Sequence, residues 1–374
     1  MAGIYLHIPF CKQACYYCNF HFSTSLKYKS SMINAILKEV ELSKDYLRNG
    51  TIETIYFGGG TPSLLDSDDI KRIIDQLSRF HSIQSDAEVT LEANPDDLSR
   101  HKVEELRKTD ISRFSIGIQS FFDEDLLYMN RAHNSNDAHA SVKRVQDAGF
   151  ENITIDLIYG TPTMDDNRWK SNINTTIEMQ IPHISCYNLT VEPKTALDSF
   201  IRKGKLKQVD EEQSAGQFEI LMRKMIDNGF DHYEISNFAK PGYYSRHNSN
   251  YWKGIPYLGI GPSAHSYDGT VRRSNIANNA AYIKAIENDQ IPFDVENLSA
   301  DQKYNEYILI SMRTIWGTDL LEIQKMGTNY VLHFESKIQQ MLERELVCKH
   351  EWIFTLTDKG KLMADYIAME VFIN

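Results

Sequence analysis

The sequence predicts an α/β protein, parallel strand–helix units followed by a smaller and mostly helical domain. Two patterns carry that expectation. Short apolar or β-branched runs recur at "IYLHI", "IETIYF", "AEVTLEA", "RFSIGI", "ITIDLIY", "HISCYNL" and, less clearly, "HYEIS". Helical stretches fall between most of them, at 29–47, 67–81, 98–108, 138–148 and 211–227. Such alternation argues for parallel βα units. About six units are too few to close an eight-fold barrel. The pattern therefore fits either an incomplete, opened barrel or a doubly wound open sheet.

Taken in order, the strands run into polar chemistry. The first enters "CKQACYYCNF"; the second ends in Gly58-Gly59-Gly60-Thr61-Pro62, the third in Glu92-Ala93-Asn94-Pro95, the fourth in Gln119-Ser120. The fifth carries Asp156 and runs into Gly160-Thr161-Pro162, and the sixth ends around Tyr187, Asn188 and Thr190. The carboxyl ends of parallel strands form the ligand face of α/β folds. Any one of these turns is also what Gly, Pro and Asn make of a strand end. Six in succession read as one pocket. Three residues without Cβ let backbone amides come close to a ligand.

The remaining chain divides at "DQIPFDVENLS", where Pro292 and polar residues suggest a boundary. The expected units are 1–234, a connecting segment 235–294, and 295–374. Ser299 reads as an N-cap before "ADQKYNEYILISMRT". Then come "DLLEIQKM", "YVLHFESKIQQMLERELV", a strand pair around "VCKHEWIFTLT", and a last helix in "DKGKLMADYIAMEVF", an order that resembles a winged helix. That module holds eight Lys and Arg against twelve Asp and Glu, a poor phosphate binder, and reads as a structural or substrate-covering domain.

At 374 residues there is ample material for a core, and the net charge of −11 disfavours a nucleic-acid role dominated by phosphate contacts. No apolar run reaches the length of a membrane span. The basic run "RKGKLK" (Arg202 to Lys207) reads as a solvated loop or helix end, with peripheral contact to an anionic membrane as the weaker reading. The opening "MAGIYLHIPF" lacks the features of an export signal, which predicts a cytoplasmic chain.

In a reducing compartment, clustered cysteines serve metal binding or catalysis. Cys11, Cys15 and Cys18 fall within eight positions, while Cys186 and Cys348 stand alone and read as small buried hydrophobes. A structural zinc site takes four ligands, commonly as two pairs, and no second pair exists. Three thiolates suit an iron–sulfur cluster, whose fourth iron they leave open to another ligand. A partial zinc knuckle is the competing reading.

The spacing C-x3-C-x2-C resembles the signature of the radical S-adenosylmethionine (SAM) superfamily. In that superfamily SAM chelates the fourth iron of a [4Fe–4S] cluster, and an electron from the cluster cleaves the sulfonium to a 5'-deoxyadenosyl radical. The resemblance tips the fold toward a partial (β/α)6-type barrel. It narrows further with "YLHIPFC", "CYYCNF", "FGGGTP", "LEANPD", "SIGIQSF", "NRAH", "DLIYGTP" and, downstream, "GIGPSAHS". Those motifs are similar to the HemN/HemW family of oxygen-independent coproporphyrinogen III dehydrogenases and heme chaperones. The resemblance implies that Tyr5, Gly59 and Glu92 help hold the cluster-bound SAM, with Tyr17, Gly58, Gly60 and Thr61 in the same cofactor-binding set. It implies that Gln119, Arg131 and Asp156 line a second SAM or the adjoining substrate space. Bottom-up, Glu92 and Asp156 also suit helix N-caps. No catalytic residue is assigned.

Within the family, the dehydrogenase motif resembles C-x3-C-x2-C-x-C, and Phe20 stands at the place of its further cysteine. The dehydrogenase also carries a long N-terminal extension over its substrate, where this chain has only Met1 to Ile4 before Tyr5. "HNSNYW" (His247 to Trp252) matches the HNxxYW motif of the chaperones. A histidine offers a nitrogen to heme iron, and aromatics pack on a porphyrin. Such a turn is also a common core anchor, and His265 in "PSAHS" is a rival ligand. The resemblance thus implies heme as cargo, apo-hemoproteins such as respiratory-chain components as recipients, an electron donor, and a homodimer as a plausible assembly.

Overall fold

The computed structural model describes residues 1–47 and 50–373. Six strands follow one another in parallel: β1 (Ala2–Ile8), β2 (Ile52–Gly59), β3 (Ile83–Ala93), β4 (Arg113–Gln119), β5 (Ile153–Tyr159) and β6 (His183–Asn188). Helices Lys29–Leu42, Ser67–Phe80, Arg100–Leu106, Ser135–Asp147 and Asp166–Glu178 connect them. Asp68 and Asp69 place negative charge on the first turn of helix Ser67–Phe80, and an Asn134–Asp137 capping box satisfies free amides at the start of helix Ser135–Asp147.

Alternation along each strand separates two faces. Ile4, Leu6 and Ile8 of β1, Ile55 and Phe57 of β2, Leu91 of β3, Ile116 of β4 and Ile155 of β5 are buried in one continuous apolar core. Residues of opposite parity are polar: Tyr5 and His7, Tyr56, Thr90 and Glu92, Arg113 and Ser115, Thr154 and Asp156, His183 and Ser185. A parallel sheet covered by helices on both faces would be apolar on both. This sheet is not doubly wound; one side is reserved for polar groups.

The sheet continues beyond both ends of the parallel series. At one edge β6 pairs antiparallel with β8 (Asn237–Ala239), which pairs with β7 (Asp231–Glu234). At the other, β9 (Tyr257–Ile260) lies parallel to β1 and leads through β10 (His265–Tyr267) and β11 (Val271–Asn275) to β12 (Phe293–Asn297). The edges β7 and β12 do not meet, so the barrel is open. The segment 235–294, expected as a connection, is part of this sheet: Phe238, Leu258, Ile260, Tyr282 and Ile286 share its core. "HYEIS" forms β7 and is antiparallel, not a further βα unit.

A second core belongs to the C-terminal region, built on Tyr304, Ile308, Phe334, Ile338, Phe354 and Ile367. Its order is helix Ala300–Met312, β13 (Thr318–Asp319), helices Leu320–Met326 and Thr328–Glu343, then the wing β14 (Val347–His350) and β15 (Ile353–Leu356). The final segment forms two short helices, Asp358–Lys361 and Ala364–Val371, in place of the single one expected. Ser299 caps the first helix in a capping box with Gln302. Cys186 is buried as expected, but Cys348 is exposed on the wing, where its thiol meets the Thr355 hydroxyl. No helix among the described residues is long and apolar enough to cross a membrane.

Helix Asp166–Glu178 escaped the sequence reading because its polar face dominates its composition. Its anchor is Trp169, fully buried, with Nε1 donating to the Gln217 carbonyl at 2.8 Å. Replacing Trp169 by Ala should cost about 3–5 kcal/mol of unfolding free energy in urea titration of the apo-protein. Leu127→Ala, at a side chain 75% exposed, should move the same midpoint by less than about 0.5 kcal/mol.

Candidate functional site

The cysteine loop leaves β1 and is fastened from several sides. Its Cys11 amide donates to the Ser23 carbonyl at 3.0 Å, and the Tyr16 amide to the Met129 carbonyl at 3.1 Å. Gln13 Nε2 donates to the Asn130 carbonyl at 2.9 Å, and Asn130 Nδ2 returns to the Ala14 carbonyl at 2.8 Å. Lys12 pairs with Asp96 at 2.8 Å and also meets Asp97, just beyond β3. The motif "NRAH" is thereby explained as a clamp on the loop. Its Arg131 reaches Cys15 Sγ at 3.2 Å and Tyr17 Oη at 3.4 Å with Nη1. Nη2 of the same group donates to Asn94 Oδ1 at 2.7 Å and the Gly117 carbonyl at 2.9 Å.

Cys11, Cys15 and Cys18 are partly exposed and form no disulfide. Burial pushes the Cys11 thiol up to about 11, aided by repulsion from the other two sulfurs and opposed by a hydrogen bond with Thr61. Burial raises Cys18 as well. Three thiolates held together need a compensating cation. Among the described residues, no such group converges on a single ion. A cubane asks for something else, since each thiolate meets its own iron. The donor set fits the cluster.

The three glycines have a steric cause within the chain. A Cβ on Gly60 would lie 2.6 Å from the Phe10 carbonyl oxygen and 2.8 Å from that of Ile8, where β2 passes beneath the cysteine loop. Gly59, at φ +102°, would press a Cβ to 2.6 Å from the His7 ring. Gly58 faces Tyr5, Tyr56 and Glu92.

On the polar face, Tyr56 Oη donates to Glu92 Oε1 at 2.8 Å. Ser115 Oγ lies 3.3 Å from Asp156 Oδ1. Neither carboxylate caps a helix; both sit within strands. Burial lifts Glu92 to about 7, with repulsion from Asp156 adding to it, and lifts Asp156 to about 6. Beneath them a void of only about 40 Å³ remains, room for about one or two waters. Any larger ligand must sit above, toward the strand ends. Two buried atoms there have no partner among the described residues, Gln119 Oε1 and Arg131 Nε. Gln119 also holds a left-handed φ of +64°, a conformation uncommon outside glycine. Unsatisfied buried polar atoms call for a partner; SAM supplies polar groups that suit them.

The structure splits the "HNSNYW" motif. Helix Arg246–Trp252 closes the bottom of the polar face, and His247 is buried there. Its Nδ1 pairs with the Thr54 hydroxyl at 2.8 Å, its Nε2 with Tyr251 Oη at 3.0 Å, and its ring stacks on Tyr56 at 4.9 Å. Burial lowers its pKa to about 3. In this conformation both ring nitrogens of His247 are engaged within the protein. Tyr251 and Trp252 instead face a cleft of about 1140 Å³. Tyr5, His7, Phe20, His21 and His265 line it too. Sequence reasoning missed His21 and the cleft itself, because the walls come from β1, β9–β11 and helix Ala300–Met312, far apart in the chain.

A carboxyl whose folded pKa lies above its unfolded value supports the fold fully below the unfolded pKa. For Glu92 that support drains as pH rises from about 4.5 to about 7. Glu92→Gln should therefore gain melting temperature relative to the wild-type apo-protein across that interval. A pH-independent difference between the two would show that the carboxyl is not raised.

The radical SAM superfamily profile matches residues 5–175. The heme chaperone HemW of Bacillus subtilis (strain 168) is 34% identical over 373 residues, covering 98% of each chain. HemW of Lactococcus lactis is 32% identical over 95% of this chain and 93% of its own. HemW of Escherichia coli (strain K12) is 33% identical over 73% of this chain and 72% of its own. Among solved structures, the radical SAM coproporphyrinogen III oxidase HemN of Escherichia coli aligns with a TM-score of 0.85. It covers 99% of this chain and 90% of its own at 21% identity, a likeness of fold. The expected architecture, a partial radical SAM barrel with a C-terminal winged-helix-like domain, is the one found. Near-full-length identity above thirty per cent, on top of the cysteine loop and its clamp, places the chain in the HemW family of the radical SAM superfamily.

Proposed function

We propose that this chain is a heme chaperone, which binds heme and delivers it to apo-hemoproteins, respiratory-chain components among them. The observation that carries the reading is the aromatic- and histidine-lined cleft that opens beside the cysteine loop. Cys11, Cys15 and Cys18 would hold the [4Fe–4S] cluster, with SAM at its fourth iron. When bound, the pair supplies one-electron chemistry to an adjacent ligand. The chain's own part is to position and neutralise. Arg131 offsets the charge of Cys15, and Lys12 fixes the loop to the end of β3. Glu92, buried beside Tyr56, suits an ammonium group, which would draw its pKa back down. Gln119 Oε1 and Arg131 Nε are the remaining anchors for SAM or an adjoining ligand.

The second reading is oxygen-independent coproporphyrinogen III dehydrogenase. Phe20 argues against it: in place of a further cysteine stands a phenyl ring 69% exposed at the cleft, a surface for packing and not a ligand. An external electron donor, a homodimer and a cytoplasmic location belong to the same proposal. So does peripheral contact with anionic lipid through the turn after helix Ala196–Arg202. Nucleic acid has no place in it.

The anaerobically reconstituted chain should take up heme stably and leave coproporphyrinogen III plus SAM unchanged. Porphyrinogen turnover would select the dehydrogenase. Replacing all three cysteines by Ala should abolish the cluster absorbance, and the electron paramagnetic resonance signal of the reduced wild-type cluster should shift on adding SAM. A cluster signal indifferent to SAM would exclude an open fourth iron.

A further inference from the structure

We infer that the cleft between the antiparallel extension and the C-terminal domain is the heme cargo site, with His265 as iron ligand and Lys253 and Lys303 as partners of the propionates. The inference rests on the chaperone reading and goes beyond it by assigning the site and its ligand.

Size and shape come first. About 1140 Å³ lies at the upper end of small-molecule pockets, which run to roughly 1,000 Å³. A flat macrocycle needs broad apolar faces, and the walls offer them: Phe20, Trp252, Tyr267 and Trp316. One wall is β10 and β11; the facing one is helix Ala300–Met312 and the turn that carries Trp316. Arg272 of β11 ion-pairs with Glu306 of that helix, and lies 3.6 Å from Glu296. The two walls are thus held at a fixed spacing, and the Arg272 charge is already taken.

Three histidines line the cleft, and their hydrogen bonds rank them. His7 uses both nitrogens, Nδ1 with Tyr5 Oη at 3.3 Å and Nε2 with the His21 carbonyl at 2.9 Å. His21 commits Nε2 to Asn279 Oδ1 at 2.8 Å. His265 is exposed to the cleft, and among the described residues neither of its nitrogens has a hydrogen-bond partner. Shielding by the walls and the nearby Arg272 charge lower its pKa, which keeps the ring in the neutral, ligating form. Its position is rigid for a surface group. It opens β10, whose backbone leaves room for nothing but glycine opposite: a Cβ on Gly259 would lie 2.0 Å from the His265 carbonyl oxygen. Buried Glu39 fixes the preceding turn by accepting from the Gly261 amide at 2.7 Å and from Asn275 Nδ2 at 2.7 Å.

The cations are equally placed. Lys253 Nζ lies 4.3 Å from the centre of the Trp316 ring at the mouth and pairs with no carboxylate among the described residues. Lys303 lines the cleft from helix Ala300–Met312 and forms no ion pair among the described residues. Two free ammonium groups at the rim of an apolar slot match an apolar plate carrying two carboxylates.

Heme titration of the reconstituted chain, read in the Soret band, tests this. Wild type should bind one heme. His265→Ala should weaken binding by at least about ten-fold and shift the band, while the cluster absorbance, which reports an intact fold, stays unchanged. The double variant Lys253→Gln, Lys303→Gln should bind heme more weakly than wild type yet match it for heme dimethyl ester, whose propionates are uncharged. A His265→Ala protein with wild-type affinity and spectrum overturns the ligand assignment. A lysine variant that loses heme and ester alike, or neither, overturns the propionate assignment. A wild-type chain that takes no heme overturns the chaperone reading itself, and this site with it.

Discussion

The Arg131 guanidinium ties the cysteine loop, the turn after β3 and strand β4 together through one side chain. Through Cys15 and Tyr17 it holds the cysteine loop, through Asn94 the turn after β3, and through the Gly117 carbonyl the middle of β4. A buried guanidinium is costly unless its protons are placed. Four of its contacts use the two terminal nitrogens, and two of those acceptors belong to the loop that must hold metal. The geometry of the thiols is therefore inherited from the sheet. Loop conformations in general are soft; this one is pinned by a charge that has nowhere else to go. The glycines of β2 complete the arrangement by letting the loop cross at backbone distance.

Much of this was legible beforehand because the signals were local. The six parallel strands, the order of their polar ends and the thiol trio are short-range patterns, and they appeared where expected. The capping box at Ser299 was read from residues three apart. Other features depend on contacts distant in sequence and left no such trace. β9 carries four residues and owes its place to pairing with β1, some 250 positions earlier. The segment 235–294 read as a connection because its strands are short and separated by polar turns. Cys348 read as buried on general preference, yet the wing faces outward there.

The "HNSNYW" motif shows why a pattern and its chemistry come apart. His247 and Tyr251, one helical turn apart, touch each other yet meet different surroundings. His247 fills the floor of the barrel, where Thr54 and Tyr251 take its nitrogens and Tyr56 takes its ring. Tyr251 and Trp252 look toward the cleft. Seen as letters, the histidine is the natural metal ligand; seen in place, it is the bolt that sets two aromatic rings. Helical spacing alone does not say which side is which, since the partner surfaces lie on β1 and β2.

One consequence of the sheet order reaches beyond either pocket. The cleft takes Tyr5 and His7 from β1, and the same strand runs on into Cys11. β1 is clasped on one side by β2, with its glycines, and on the other by β9, which leads to the turn before His265. The wall of the cleft and the loop of sulfur ligands are therefore mounted on one strand, and how β1 sits between its two neighbours sets the position of both.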